Sequence, residues 1–379
     1  MRAYCDHAAT TPLCDEAWQA LEPYLRERFG NPSEPHLEGR RARTGLDAAR
    51  TQVAAALGTD PAHVVFTGGG SEADNLAVLG RLADGGGRVV STPLEHPAVA
   101  GALAAAAGEL VLAPITADGI VDLAALDRLV QPGDRLCAVI WASNLTGAIQ
   151  PVREIAELCA SRGVPLHLDA VQAAAWLPLR IDELPGELTV AVAGHKLHGP
   201  KGAGVLAGRG VSSLATVLHG GGQEHGLRPG TESVAQAAGL AAALALRVSD
   251  SQIAGATSQL RDAFESRLRS ALPDIVLVAE QAARLPGHSL SLIAGVRGDA
   301  LCALLDDAGF AVAAGAACHS ADAEPSAALA AMGVPRSLAL GALRCSFGAC
   351  NAPDDGDRLA AAVAALVPTL RGASASLRA

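Results

Sequence analysis

Between residues 63 and 208 six short apolar runs alternate with stretches of helical length. They are HVVFTGG (63–69), GRVVSTPLEH (87–96), RLCAVIWAS (135–143), VPLHLDA (164–170), LTVAVAG (188–194) and AGVLAG (203–208). Short apolar runs rich in β-branched residues read as buried strands. A segment such as PVREIAELCASRG (151–163), with Pro at the first turn and Gly at the end, reads as a helix. Strand–helix alternation predicts an α/β fold with a large, mainly parallel sheet.

After residue 250 the texture changes to a long helical stretch (251–272), then GHSLSLIAGV, DALCALLDDAGFAVAAG, LRCSFG and a closing helix from PDDGDRLAAAVAALV. The looser grouping predicts a smaller α+β domain. The expected division is 15–250 for the large domain, with 1–14 and 251–379 in the small one. The tail RGASASLRA is expected to fray. A length of 379 residues suits more than one domain, and a chain that is 50% hydrophobic can fill large cores. Aromatics are 3%, so Ala, Leu and Val must build those cores.

The net charge of −10 argues against a general nucleic-acid or anionic-membrane surface. No apolar run approaches the ~18 residues of a membrane span. The N-terminus carries charges throughout and lacks the apolar core of a signal peptide, so the cytoplasm is expected. Eight scattered cysteines without a CxxC pair predict reduced thiols, neither a disulfide framework nor a zinc ribbon, and no metal is expected.

Lysine usage is the sharpest chemical signal. The chain has 29 basic residues, and its two lysines, Lys196 and Lys201, both fall in AGHKLHGPKG (193–202). An amine can lose its proton and form a Schiff base; a guanidinium cannot at any workable pH. Lys196 follows an apolar strand and is the candidate nucleophile, whereas Lys201 lies in a Pro/Gly turn and reads as structural. Phosphate or dipole neutralisation is the alternative use of such a pair.

If the Schiff base holds pyridoxal phosphate, the cofactor needs an acid at its ring nitrogen, a phosphate cradle and a group against the ring. Asp169 ends the strand in HLDAVQ, where it could meet a pyridinium or instead cap a turn. FTGGGSEADN (66–75) runs strand, glycines, Ser, helix, which suits a phosphate. His96, in STPLEHPAV, could face the ring or be structural.

These segments resemble a known family when taken together. YCDHAATTP, FGNPS, FTGGGSEADN, STPLEHPAV, HLDAVQ, GHKLHGPKG, GGGQEHGLRPGTE, GAACHS and LRCSFG follow in order from residue 4 to residue 348. The chain resembles the cysteine desulfurases of the class V aminotransferase group, with the selenocysteine lyases close by. The resemblance implies a pyridoxal-phosphate-dependent transferase of fold type I, a homodimer with active sites at the subunit interface.

Carried over by position, it makes Lys196 the Schiff-base lysine and Asp169 the partner of the pyridine nitrogen. Gln172 would bond the phenolic oxygen, and His96 would stack on the ring and assist proton transfer. Gly70, Ser71 and His195 would cradle the phosphate, joined by Thr231 from the neighbouring subunit. Asn144 and Arg344 would orient the substrate, Arg344 by clamping its α-carboxylate. Cys318, among small residues in the small domain, aligns with the persulfide-forming cysteine.

The implied reaction converts L-cysteine to L-alanine and leaves a persulfide on Cys318, whose thiolate form must attack. His319 adjoins it in sequence. A sulfur-acceptor protein is implied, but no residue identifies it. Ala193 replaces a phosphate-binding Ser of many members, and ASNLTG departs from the usual stretch at Ser143 and Leu145. GAACHS, GNPSEPH and RPGTE lean toward selenocysteine lyase, which is the second reading. Another fold-type-I enzyme, such as an aminotransferase, and a sulfur-carrier scaffold with a vestigial site are the remaining alternatives.

Overall fold

The computed structural model describes residues 2–249, 251–315 and 326–376. The first part runs β1 (Ala3–Tyr4), α1 (Asp15–Arg26), α2 (Leu37–Leu57), β2 (Val64–Thr67), α3 (Gly70–Leu82), β3 (Arg88–Ser91), α4 (Pro97–Ala106) and β4 (Glu109–Leu112). It continues with α5 (Leu123–Leu129), β5 (Leu136–Ile140), α6 (Val152–Ser161), β6 (Leu166–Asp169), β7 (Leu188–Ala193), β8 (Gly204–Ala207) and α7 (Val234–Ser249). The last part holds α8 (Ser251–Ala271), β9 (Val276–Leu277), β10 (His288–Leu292), α9 (Gly298–Asp307), β11 (Phe310–Ala311) and β12 (Ala313–Ala314). Two short helices, α10 (Ala327–Ala331) and α11 (Arg336–Ala339), precede β13 (Ala342–Ser346) and α12 (Asp355–Ser376).

All six apolar runs form strands of one seven-stranded sheet, ordered β2-β8-β7-β6-β5-β3-β4. The pairs from β4 through β7 are parallel, each needing a crossover, and the segments between them supply it. β8 departs from the expected series by running antiparallel to both β7 and β2. Only residues 194–203 join β7 to β8, too few for a crossover helix, so the chain must turn straight back. The sequence reading also missed β4, an edge strand with Leu110 and Leu112 exposed. Pro151 caps α6 from outside and does not occupy its first turn.

The parallel strands end on one side of the sheet, the usual place for a site in such a fold. There, β8 presses on the loop after β2. A Cβ added to Gly204 would lie 2.6 Å from Gly69 Cα and 2.5 Å from its carbonyl carbon. Both are backbone atoms that cannot swing aside. Gly204→Ala should therefore destabilise the chain by about 1–3 kcal/mol, read as a lower midpoint in thermal unfolding.

Two large sets of buried side chains fill the interior. One packs α2, α6 and α7 against the large sheet, with Leu46, Leu168, Val190 and Leu240 at its centre. The other joins Ala3 and Cys5 of the N-terminus to Phe264, Leu301, Phe347 and Val363. The expected fraying of the tail is corrected as far as Ser376, where α12 ends. Leu359, Val363 and Val367 recur at helical spacing on its buried face. Arg371 then ties the helix to the Ala294 carbonyl at 2.9 Å and to Asp274 at 2.7 Å. Among the described residues no helix is long and apolar enough to cross a membrane.

Candidate active site

All six residues of β7 are buried, and a single tight turn, Gly194–Lys196, brings Lys196 off its end. The N-terminal segment crosses this turn. Thr11 N–H donates to the His195 carbonyl at 2.8 Å, and Lys196 Nζ donates to the carbonyls of Ala8 at 2.6 Å and Ala9 at 2.8 Å. Burial, with help from Arg344, lowers the Lys196 pKa to about 8, against the opposing pull of Asp6 and Asp169. Lys201 is exposed in the following turn. The two lysines thus sit in opposite environments, as their local sequences predict.

Lys196 borders a cavity of about 280 Å³. Gly70, Ser71, His96, Asn144, Asp169, Gln172 and His195 line it as well, so most of the expected site residues converge. Asp169 closes β6 with a carboxyl only 3% exposed, and one oxygen accepts from Val171 N–H at 2.9 Å. Burial first, then Asp74, pushes its pKa up to about 7.

His96 holds a structural place and also borders the cavity. Its Nδ1 accepts from Ala98 N–H at 3.1 Å and so caps α4, while the ring lines the cavity. An accepting Nδ1 leaves the proton of the neutral ring on Nε2. Burial lowers its pKa. Gln172 Nε2 donates to the Ala8 carbonyl at 2.8 Å, and His195 Nδ1 lies 3.2 Å from Thr10 Oγ1. The segment 8–11 therefore positions three cavity residues.

The glycine turn delivers α3, whose first residues Gly70 and Ser71 open onto the cavity. The unpaired N–H groups at a helix start favour an anion there. A Cβ on Gly70 would lie 2.5 Å from Val171 Cγ2 and 3.5 Å from Ala193 Cβ, both on the cavity wall, and would fill the cradle. Ala193 itself lines the cavity, so the loss of a hydroxyl at that position falls on the site.

Ser143 and Leu145 hold structural places instead. Ser143 Oγ accepts from the N–H groups of Leu145 at 3.2 Å and Thr146 at 3.1 Å, and Leu145 packs with Ile140 and Leu290.

Arg344 reaches the site through its neighbours. One nitrogen donates to the Asn144 carbonyl at 3.0 Å, another to Asp6 Oδ1 at 2.8 Å, and Nε is buried without a partner. Thr231 is exposed and is not among the residues lining the cavity of its own chain. Cys318 and His319 lie outside the described residues. The seven described cysteines are free thiols, and burial raises Cys5 and Cys302 to about 12, far from a reactive thiolate.

Sequence reasoning missed Asp6, Asp74, Glu95 and His167. Asp74 lines the cavity and brings a donor atom within 4.8 Å of those of His96 and Asp169. Its signal is a carboxyl between Ala73 and Ala77 on the buried face of α3. His167 gives a similar one, a lone polar ring inside an apolar strand.

This set of groups fits pyridoxal phosphate. It offers a desolvated amine, a buried carboxyl lacking a cation, an imidazole and an anion cradle around one cavity. The class-V aminotransferase family model matches residues 3–359. An IscS-like cysteine desulfurase of Mycobacterium tuberculosis is 38% identical over 369 residues, covering 94% of this chain and 93% of that protein. The cysteine desulfurase IscS of Dictyoglomus turgidum is 35% identical over 360 residues, covering 93% and 91%. A solved NifS-like protein superposes with a TM-score of 0.89 at 29% identity, covering 98% of this chain and all of that one.

Proposed function

The chain belongs to the class-V aminotransferase family and, within it, to the cysteine desulfurases, pyridoxal-phosphate-dependent enzymes that take sulfur from L-cysteine; from that premise we propose that Lys196 and Cys318 carry the chemistry. The observation that carries the assignment of Lys196 is its low-pKa amine in one cavity with Asp169, His96 and the start of α3.

Pyridoxal phosphate supplies an aldehyde that an amine can take covalently and a ring that draws electrons from the substrate α-carbon. Gly70, Ser71 and His195 would hold its phosphate at the α3 N-terminus. Asp169 would keep a proton on the ring nitrogen, and Gln172 Nε2 would orient the phenolic edge. His96 would face the ring, with Nε2–H free to move a proton.

Arg344 and Asn144 set the substrate carboxylate, and Lys196 Nζ, once free, removes the α-proton. The Cys318 thiolate attacks the substrate sulfur. An S–S bond forms and the substrate Cβ–S bond breaks. The electron pair stays on the β-carbon, which takes a proton to become the methyl group of alanine, and the α-carbon takes back the proton that Lys196 removed.

Exposed Thr231 supports a homodimer in which it completes the cradle of a second copy. The buried cluster that joins Ala3 and Cys5 to Phe264, Leu301 and Phe347 supports a domain of 1–14 with 251–379 beside one of 15–250. Free thiols suit a cytoplasmic setting. The sulfur passes on to an acceptor protein.

The test is to supply L-cysteine to the cofactor-loaded chain. Alanine and transferred sulfur should appear in equal amounts, and no alanine would contradict the reading. Cofactor capture by the cofactor-free chain should accelerate as pH rises through about 8, because the attacking amine must be unprotonated. Acceleration centred near the ordinary lysine value of 10.5 would point to an exposed amine instead.

A further inference from the structure

Three carboxyl groups on three different elements approach one another at the cavity wall, where Asp74 and Asp169 line the cavity and Glu95 lies near enough to interact with both. Asp74 comes from α3, Glu95 from the turn after β3, and Asp169 from the end of β6. Asp74 is 1% exposed, and Glu95 Oε2 is enclosed without a hydrogen-bond partner. Among the described residues no Lys or Arg pairs with any of them, and Asp74 Oδ1 lies 3.1 Å from His167 Nε2. Three ionised carboxyls in so dry a space would repel one another and forfeit hydration, so protons must be retained.

The geometry says which group gives up its proton. Asp169 accepts a backbone N–H from Val171 and faces the cavity. Glu95 Oε1 accepts from Thr92 Oγ1 at 2.7 Å and from Ile140 N–H at 3.0 Å, while its other oxygen has no donor. His167 and Asp169 alternate with Leu168 on β6, so they stand on the same face of the sheet. His167 pairs in register with Thr189 of β7, and its Nδ1 lies 2.9 Å from Thr189 Oγ1.

A protonated Asp74 can donate to His167 Nε2, and His167 Nδ1–H can then donate to Thr189, so the chain is satisfied without charge. The surrounding ionisable groups are Glu95, His96, His167, Asp169 and, across the cavity, Lys196. Burial keeps His167 neutral, at about 4, lifts Asp74 to about 8, and raises Glu95 well above its ordinary range.

We propose that Asp74 is a positioning residue for the cofactor: a neutral carboxylic acid that locks His167 beneath Asp169, so that Asp169 carries the single negative charge offered to the ring nitrogen. An ionised Asp74 would set a second charge against Asp169 and favour a proton there, removing the anion the pyridinium needs. This role rests on the cofactor reading above.

Two measurements test it. Infrared difference spectra between the cofactor-free wild type and Asp74→Asn at neutral pH should show loss of one protonated-carboxyl stretch. Asn, uncharged and able to bond His167, should keep the pyridoxal phosphate dissociation constant within about threefold and the pH midpoint of the visible band unmoved. Asp74→Ala, which leaves His167 unpaired, should weaken binding by about tenfold or more. Absence of that stretch from the difference spectrum, or an Asn variant that binds as poorly as the Ala variant, overturns the proposal while wild-type binding stands. A wild-type chain that binds no pyridoxal phosphate overturns the cofactor reading, and this role with it.

Discussion

Lys196→Arg should lose the visible absorption of the bound cofactor and slow alanine formation by about a thousandfold, the scale of losing a positioned proton-transfer group. Lys201→Arg should keep both within about twofold. The contrast follows from what the two positions require. The Lys196 amine is half-buried between two carbonyl acceptors, and its pKa is drawn down to about 8, so a neutral nucleophile is present near physiological pH. Arginine keeps its charge far above that range and cannot bond the aldehyde. Lys201 is exposed, where a guanidinium serves as well as an ammonium. Equal loss in both variants would mean that charge, not nucleophilicity, is needed at 196. Retained colour and turnover in Lys196→Arg would remove the lysine from the mechanism.

Cys318→Ser should slow sulfur transfer from L-cysteine by about a thousandfold or more, because a serine hydroxyl stays protonated where a tuned thiol ionises. The cofactor spectrum should be unchanged, since none of the described cavity-lining residues is altered. The same variant separates the two readings closest to one another. A selenol leaves more readily than a thiol, so an enzyme built for selenocysteine could release selenium without Cys318. Retained activity on L-selenocysteine, with loss on L-cysteine, would favour the lyase. Loss on both would rule out a lyase that dispenses with the thiol. Cys5, Cys302 and Cys345 offer no substitute, since Cys5 and Cys302 are driven up to about 12 and Cys345 is also raised by burial.

Much of the site was legible because its residues sit where local sequence determines position. A strand run followed at once by Lys196 or ending in Asp169 fixes each side chain at a carboxyl edge, and a run of glycines before a helix marks an anion cradle. What stayed hidden depends on distant partners. Asp74 and His167 are 93 residues apart, and Asp6 and Arg344 are 338 apart. Nothing local shows that the carboxyl of Asp6 will meet the guanidinium.

The role of segment 8–11 was equally hidden. It acts through main-chain carbonyls, which every sequence possesses. β8 was readable as a strand but not in its direction, which the shortness of the 194–203 connection imposes. Asp74 and His167 did leave a trace, as polar groups at buried periodic positions. That pattern pays attention to cost: a chain retains such groups only where something compensates their burial.

The most direct test of the account is to fix the cofactor to the chain with borohydride, digest the protein and locate the added mass by peptide mass spectrometry. The pyridoxyl group should fall on the peptide containing Lys196, and on Lys196 within it. Mass on Lys201, on the N-terminal amine, or on no residue would contradict the assignment of Lys196 as the covalent nucleophile.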